Sequence, residues 1–151
     1  MGLDQYLYAI KYFSKYIEKE KVITEKITDL TKEYEFMGKI QELSFQFLYW
    51  RKANHIHKWF VENIQYGKDD CGDYPVSIEE LGELMELCFK ALQSPEQAHE
   101  ILPTTSGSFF GGEEYDDYYY ETTLRTYKKL KELFENLDKY GDFDFSYSSS
   151  W

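Results

Sequence analysis

The chain has 151 residues and a formal net charge of −11. That length suits one domain with a core large enough to need neither disulfide nor metal. The acidic balance excludes a general nucleic-acid binder, which carries a basic footprint. Cys71 and Cys88, with no C-x-x-C spacing, exclude a disulfide framework or a zinc knuckle.

In chain order, "LDQYLYAIKYF" lacks turn residues and predicts a strand over 3–12. "YIEKEKVITEKITDLTKEYEF" fits either a charged helix or a β-excursion, because Val22, Ile23, Ile27 and Leu30 recur near helical spacing but are mostly β-branched. Leu43, Phe45, Phe47 and Tyr49 alternate with polar residues and predict a half-buried strand over 40–50. Ala53, Ile56, Phe60 and Ile64 predict a helix over 51–65, closed by the Gly67–Pro75 loop.

Ser77 and Glu80 form the pattern of a capping box for a helix over 78–92, with Cys88 on its apolar stripe. "SPEQAHEIL" predicts a short helix with Pro95 in its first turn. "PTTSGSFFGG" reads as a loop or short strand pair. A third main helix follows over 117–139, and Phe143, Phe145 and Tyr147 alternate in a last strand over 142–149. Residues 1–151 thus read as a single α+β domain, a small antiparallel sheet with helices on one face.

The chemistry concentrates in "YWRKANHIHKWFVEN", Tyr49–Asn63. On a helix from 51, Arg51, His55, Lys58 and Glu62 share one stripe, and Trp50, Asn54, His57 and Val61 the next. Arg51 offers a planar fork for phosphate or carboxylate, and Lys52 and His55 add charge beside the helix start. Each such charge alone is a solvated helix face; the cluster with Trp50, Asn54 and two histidines is what points to an anion site. The 102–112 loop supplies glycines and the hydroxyls of Thr104, Thr105 and Ser106, with Phe109 to flank a ring. Tyr118, Tyr119 or Tyr120, in "YDDYYY", could stack on a ring, Tyr119 being the one carried into the site. Asp69–Asp70 and Asp116–Asp117 are two carboxylate pairs without metal-ligand spacing. Cys71 with His57 is a nominal thiol–imidazole pair.

Five segments give the chain a resemblance to a family of small phage-encoded proteins. They are Met1–Leu7 (MGLDxYL), Trp50–Val61 (WRKANxIHxWFV), Asp69–Gly72 (DDCG), Leu102–Gly111 (LPTxSGxFFG) and Tyr115–Tyr120 (YDxxYY). Only residues 14–40 and the tail lack a matching motif, and Ser108–Phe110 departs where the family's aromatics run more densely. The glycolytic-kinase label sometimes attached to that family finds no P-loop here. The resemblance implies a phage source and, with it, a role against host defence in the host cytoplasm.

These readings combine into an expectation. The protein binds, and sequesters, a nucleotide-like or phosphorylated metabolite, such as a host immune messenger, without enzymatic turnover, metal or cofactor. Arg51, Lys52 and His55 hold phosphate, and Trp50 with Phe109 or Tyr119 holds a ring. The alternatives are an acidic protein that blocks a basic host protein or mimics DNA, and a metal-dependent phosphodiester hydrolase using the carboxylates and His57. The exposed aromatics and the last strand, read as an unpaired edge, imply a homo-oligomer. No apolar run has membrane-spanning length, and the N-terminus lacks a signal-peptide pattern, so a cytoplasmic location follows as an expectation.

Overall fold

The computed structural model describes residues 2–13, 18–38 and 40–151. Four strands form one antiparallel sheet in the order β2-β1-β4-β3: β1 Asp4–Tyr12, β2 Glu42–Arg51, β3 Tyr74–Val76 and β4 Asp144–Ser150. The helices are α1 Glu18–Leu30, α2 Asn54–Asn63, α3 Ile78–Gln93, α4 Ala98–Ile101, α5 Asp117–Glu135 and α6 Leu137–Tyr140. This is the α+β architecture the alternation patterns predict.

The period of two sorts β1 into faces. Gln5, Leu7 and Ala9 are buried, while Tyr6, Tyr8 and Ile10 point to the other side and are half-buried. Leu7 lies opposite Leu48 of β2 and Tyr147 of β4, so the strands bring their apolar residues to one face. A bulge at Phe47 shifts the β1–β2 register by one residue between Leu7 and Tyr8. β3 is a three-residue edge strand in which Pro75, lacking an N–H, is tolerated.

Helices α2, α3 and α5 close over the buried face. Ile56, Trp59 and Phe60 of α2, Leu81, Leu84 and Cys88 of α3, and Leu130 and Leu133 of α5 join the sheet residues in one core. At its centre the Phe60 ring stacks on Tyr147 with centroids 3.8 Å apart, and Trp50 packs 5.9 Å from Phe60. The capping box forms as read: the Ser77 hydroxyl accepts from the Glu80 amide, and the Glu80 carboxylate accepts from the Ser77 amide. Cys88 is buried in α3, Cys71 is exposed in a loop, and both are free.

Several boundaries differ from the sequence reading. The segment at 18–38 is helical, α1 followed by a 3-10 turn at Lys32–Met37, which decides between the two forms left open. Residues 14–17 and 39 of that region lie outside the described residues. The helix expected from 51 begins at Asn54. Strand pairing with β1 carries β2 through Arg51, which sits opposite Asp4, and Lys52 then turns with φ 57°. Arg51 therefore does not share a helical stripe with His55, Lys58 and Glu62. The third helix stops at Glu135; Asn136 donates its side-chain amide to Glu132 O at 2.8 Å and starts the separate turn α6. The last strand is not an edge, because β4 runs between β1 and β3. The long edge strand is β2. Among the described residues no helix is long and apolar enough to cross a membrane.

Because Phe60 meets Tyr147, Trp50 and Trp59 at the junction of sheet and helices, Phe60→Ala should cost about 3–5 kcal/mol in urea unfolding. A loss below about 1 kcal/mol would place the core elsewhere.

Candidate functional site

Most of the motif segments meet at one end of the sheet. The start of β1, the end of β2, the start of α2, the 102–112 loop, the start of α5 and Trp151 are joined there by a set of hydrogen bonds. The Lys52 amide donates to Leu3 O at 2.6 Å, and the Leu3 amide donates to Phe109 O at 3.3 Å. The Tyr118 hydroxyl donates to Arg51 O. Lys52 and Phe109 both have positive φ, 57° and 67°. Such backbone in non-glycine residues costs of order 1–3 kcal/mol and concentrates at functional sites. Gly111 (φ 95°) sits against them; a Cβ there would lie 3.0 Å from Lys52 Cβ and 3.1 Å from Lys52 O.

Asn54 ties the helix to the loop. Its amide nitrogen donates to Phe110 O (3.3 Å) and Gly112 O (2.7 Å), and its oxygen accepts from the Thr105 amide (3.2 Å). The side chain is 1 % exposed, so all three bonds lie in or beside the interior. Thr104 is held in turn: its amide donates to the Tyr115 hydroxyl at 3.2 Å and its hydroxyl to Glu113 O at 3.0 Å.

The two histidines do not share a cavity. His55 packs 4.3 Å from the Tyr119 ring, with Nε2 3.1 Å from the Thr123 hydroxyl. Burial pushes His55 down to about 3, so it is neutral at physiological pH and brings no charge to an anion. His57 faces the other way. Its Nδ1 lies 2.8 Å from the Tyr147 hydroxyl and its Nε2 3.0 Å from Asp69 Oδ2. The chain continues from Tyr147 to Gln5 Oε1 (3.2 Å) and from Gln5 Nε2 to Ala53 O (3.2 Å). Trp151 Nε1 donates to the second oxygen of Asp69 at 3.0 Å. Phe110 sits edge-on to His57 at 5.1 Å and 6.0 Å from Trp151. Burial also raises the phenols of Tyr119 and Tyr147, keeping both as neutral hydrogen-bond donors.

The predicted site residues thus separate into two groups. Trp50, Asn54, His55, His57 and Tyr119 are interior. Trp50 Nε1 donates to the Thr126 hydroxyl at 2.7 Å, and the Tyr119 hydroxyl donates to Leu102 O at 2.8 Å. These five hold the scaffold together, and none presents a free polar atom at the surface. Arg51, Lys52, Ser106 and Phe109 are exposed, and Thr104 and Thr105 half-buried. Neither Arg51 nor Lys52 forms an ion pair with a described residue. A Cβ at Gly2 would lie 3.3 Å from Lys52 Cε and 3.7 Å from Arg51 Nε and Nη2, so both side chains reach the same spot. Of the three tyrosines that could stack, Tyr118 is the one at the surface, 47 % exposed beside this spot; sequence reasoning missed Trp151, 50 % exposed beside Asp69.

The carboxylates have other work. Asp69 engages His57 and Trp151. Asp70 accepts from Tyr74 and the Gly72 amide, and the Tyr74 hydroxyl holds it below the usual carboxylate range. Asp116 caps α5 by accepting from the Tyr119 amide. Among the described residues no three His, Cys, Asp or Glu cluster as metal ligands. With both His57 nitrogens engaged, none is left for Cys71.

Comparison with protein-family models, curated proteins and solved structures gives no match for this chain.

Two measurements check this geometry. Asn54→Ala strands two carbonyls and an amide, and should cost about 1–3 kcal/mol while speeding hydrogen exchange at Thr105. For His55 the unfolded chain takes up a proton near pH 6.5 and the folded chain only near 3. Stability is therefore lost as pH falls from about 6.5 toward 3, at about 1.4 kcal/mol per pH unit from this group. His55→Gln should flatten that slope; an unchanged slope would mean His55 is charged in the fold.

Proposed function

We propose that the protein binds a small phosphorylated or nucleotide-like ligand at the sheet end where Arg51 and Lys52 converge beside the 102–112 loop. The observation carrying this reading is the pair itself: two exposed cations at one spot, neither in an ion pair with a described residue, on a chain of net charge −11. Neither is engaged by a carboxylate of the described residues, so both are available to an external anion. Arg51 supplies a bidentate fork and Lys52 a point charge. Ser106 and the half-buried threonines add hydroxyls. The ring-stacking role passes from Trp50 and Tyr119, which are interior, to Phe109 and Tyr118.

The acidic remainder of the surface gives selectivity. It repels long polyanions and admits a small one. The role we assign to it is capture rather than turnover. Taken with the phage-like motifs, sequestration of a host immune messenger is the use we assign.

A second reading, an acidic protein that blocks a basic host protein, draws on the outer sheet face. There Tyr6, Tyr8 and Tyr49 lie beside Gln46, Ser146 and Ser148, a tyrosine–serine composition typical of protein-binding surfaces. That complex would weaken steeply with salt.

Protein isolated from phage-infected, defence-active cells should release a phosphorylated small molecule on denaturation, detectable by mass spectrometry. Arg51→Ala should lower the affinity about tenfold to hundredfold with the unfolding midpoint unchanged. Equal loading of wild type and Arg51→Ala would remove the proposed site.

A further inference from the structure

The buried polar chain through His57 leaves little freedom in where its protons sit. It starts at Ala53 O, which accepts the His57 amide at 3.0 Å and faces Gln5 Nε2 at 3.2 Å. A carbonyl takes only a donor, so the Gln5 amide cannot turn over, and its Oε1 faces the Tyr147 hydroxyl at 3.2 Å. Gln5 Oε1 can only accept, so the Tyr147 proton lies on that bond. Ser149, opposite Gln5 on β4, supplies no substitute, since its buried hydroxyl makes no hydrogen bond.

A phenol has a single proton to give. Toward His57 Nδ1, 2.8 Å away, the Tyr147 oxygen is therefore an acceptor, and the ring nitrogen donates. On the other side of the ring Nε2 lies 3.0 Å from Asp69 Oδ2, a carboxylate oxygen, and donates as well. We infer that His57 carries both ring protons in the folded protein, as an imidazolium paired with the Asp69 carboxylate, and that this pair is a pH-sensitive latch on Trp151.

A buried ion pair is sustained where both partners are fully hydrogen-bonded, and this one is. The second Asp69 oxygen accepts from Trp151 Nε1 at 3.0 Å. The ring is 1 % exposed and the carboxylate 28 %, so the proton has a route to solvent through Asp69. The groups facing the ring are Asp69, the neutral Tyr147 and the edge of Phe110, with Cys71 of the Asp69 loop near enough to act on the Tyr147 phenol. Neither His57 nor Asp69 forms an ion pair with any other described residue.

With one proton fewer, two acceptors must meet somewhere along the chain. Tyr147 turns its proton to Nδ1, Gln5 Oε1 loses its donor, and Asp69 loses the charge that holds it. Asp69 in turn holds the indole of Trp151, which packs 6.0 Å from Phe110. Because the fold retains the proton, the latch is closed at acid and neutral pH and opens as pH rises. That sign is opposite to the loss of stability that His55 brings on acidification.

Nitrogen-15 spectra of the full chain test this, read through the carbon-bound ring protons so that solvent exchange does not matter. At about pH 7 His57 should show two protonated ring nitrogens and His55 one. Raising the pH should remove one from His57, and the Trp151 indole N–H should move toward its solvent-exposed shift with the same midpoint. Asp69→Asn, close in shape at a half-buried position, should leave His57 with a single ring proton at about pH 7. A single ring proton on His57 in the wild type, two retained in Asp69→Asn, or an indole signal that does not follow the His57 titration would each overturn the inference.

Discussion

Everything at the candidate site depends on burying a polar helix start. α2 takes Asn54, His55 and His57 into the interior within four residues. A buried polar group without a partner costs more than a made hydrogen bond returns. Each side chain therefore dictates where another segment must lie. Asn54 fixes the 102–112 loop, His55 fixes α5 through Thr123, and His57 fixes β4 through Tyr147 and the Asp69 loop. These bonds connect segments far apart in sequence, and the strained turns at Lys52 and Phe109 persist because their neighbours are held from several sides.

The same constraint divides the labour in Tyr49–Asn63. The interior residues build the platform, while Arg51, the last residue of β2, and Lys52, in the left-handed turn that follows, point outward. Their exposure follows from the packing beneath them. Rigid backing on an exposed fork lowers the entropy an anion must remove on binding.

Much of the fold was legible because its signals are local. The alternation of Leu7 and Ala9 with Tyr6 and Tyr8, the Ser77–Glu80 box and the apolar stripe of α3 each declare themselves within one element. The short strand at Tyr74–Val76 was not seen, since three residues containing a proline show no period. The start of α2 was misplaced because Arg51 fits both a helical stripe and a strand end, and only pairing with Asp4 decides. The interior placement of His55 and His57 was hidden for a different reason: polar residues at helical spacing look solvated until their partners are known. One signal was present. From Asn54 to Asn63 only Lys58 and Glu62 carry full charge, too few for a helix with an open face. The order of the sheet, with the last strand inside it, lies beyond any local pattern.

The central claim is that Arg51 and Lys52 are the ligand's contacts and that the histidines beneath them are scaffold. Amide and imidazole chemical-shift mapping during titration with a nucleoside diphosphate tests it most directly. The account predicts shifts at Gly2, Arg51, Lys52 and residues 105–111, with the His55 and His57 ring signals unmoved. Shifts confined to the outer sheet face, or movement of the His55 ring as it gains a proton, would contradict it.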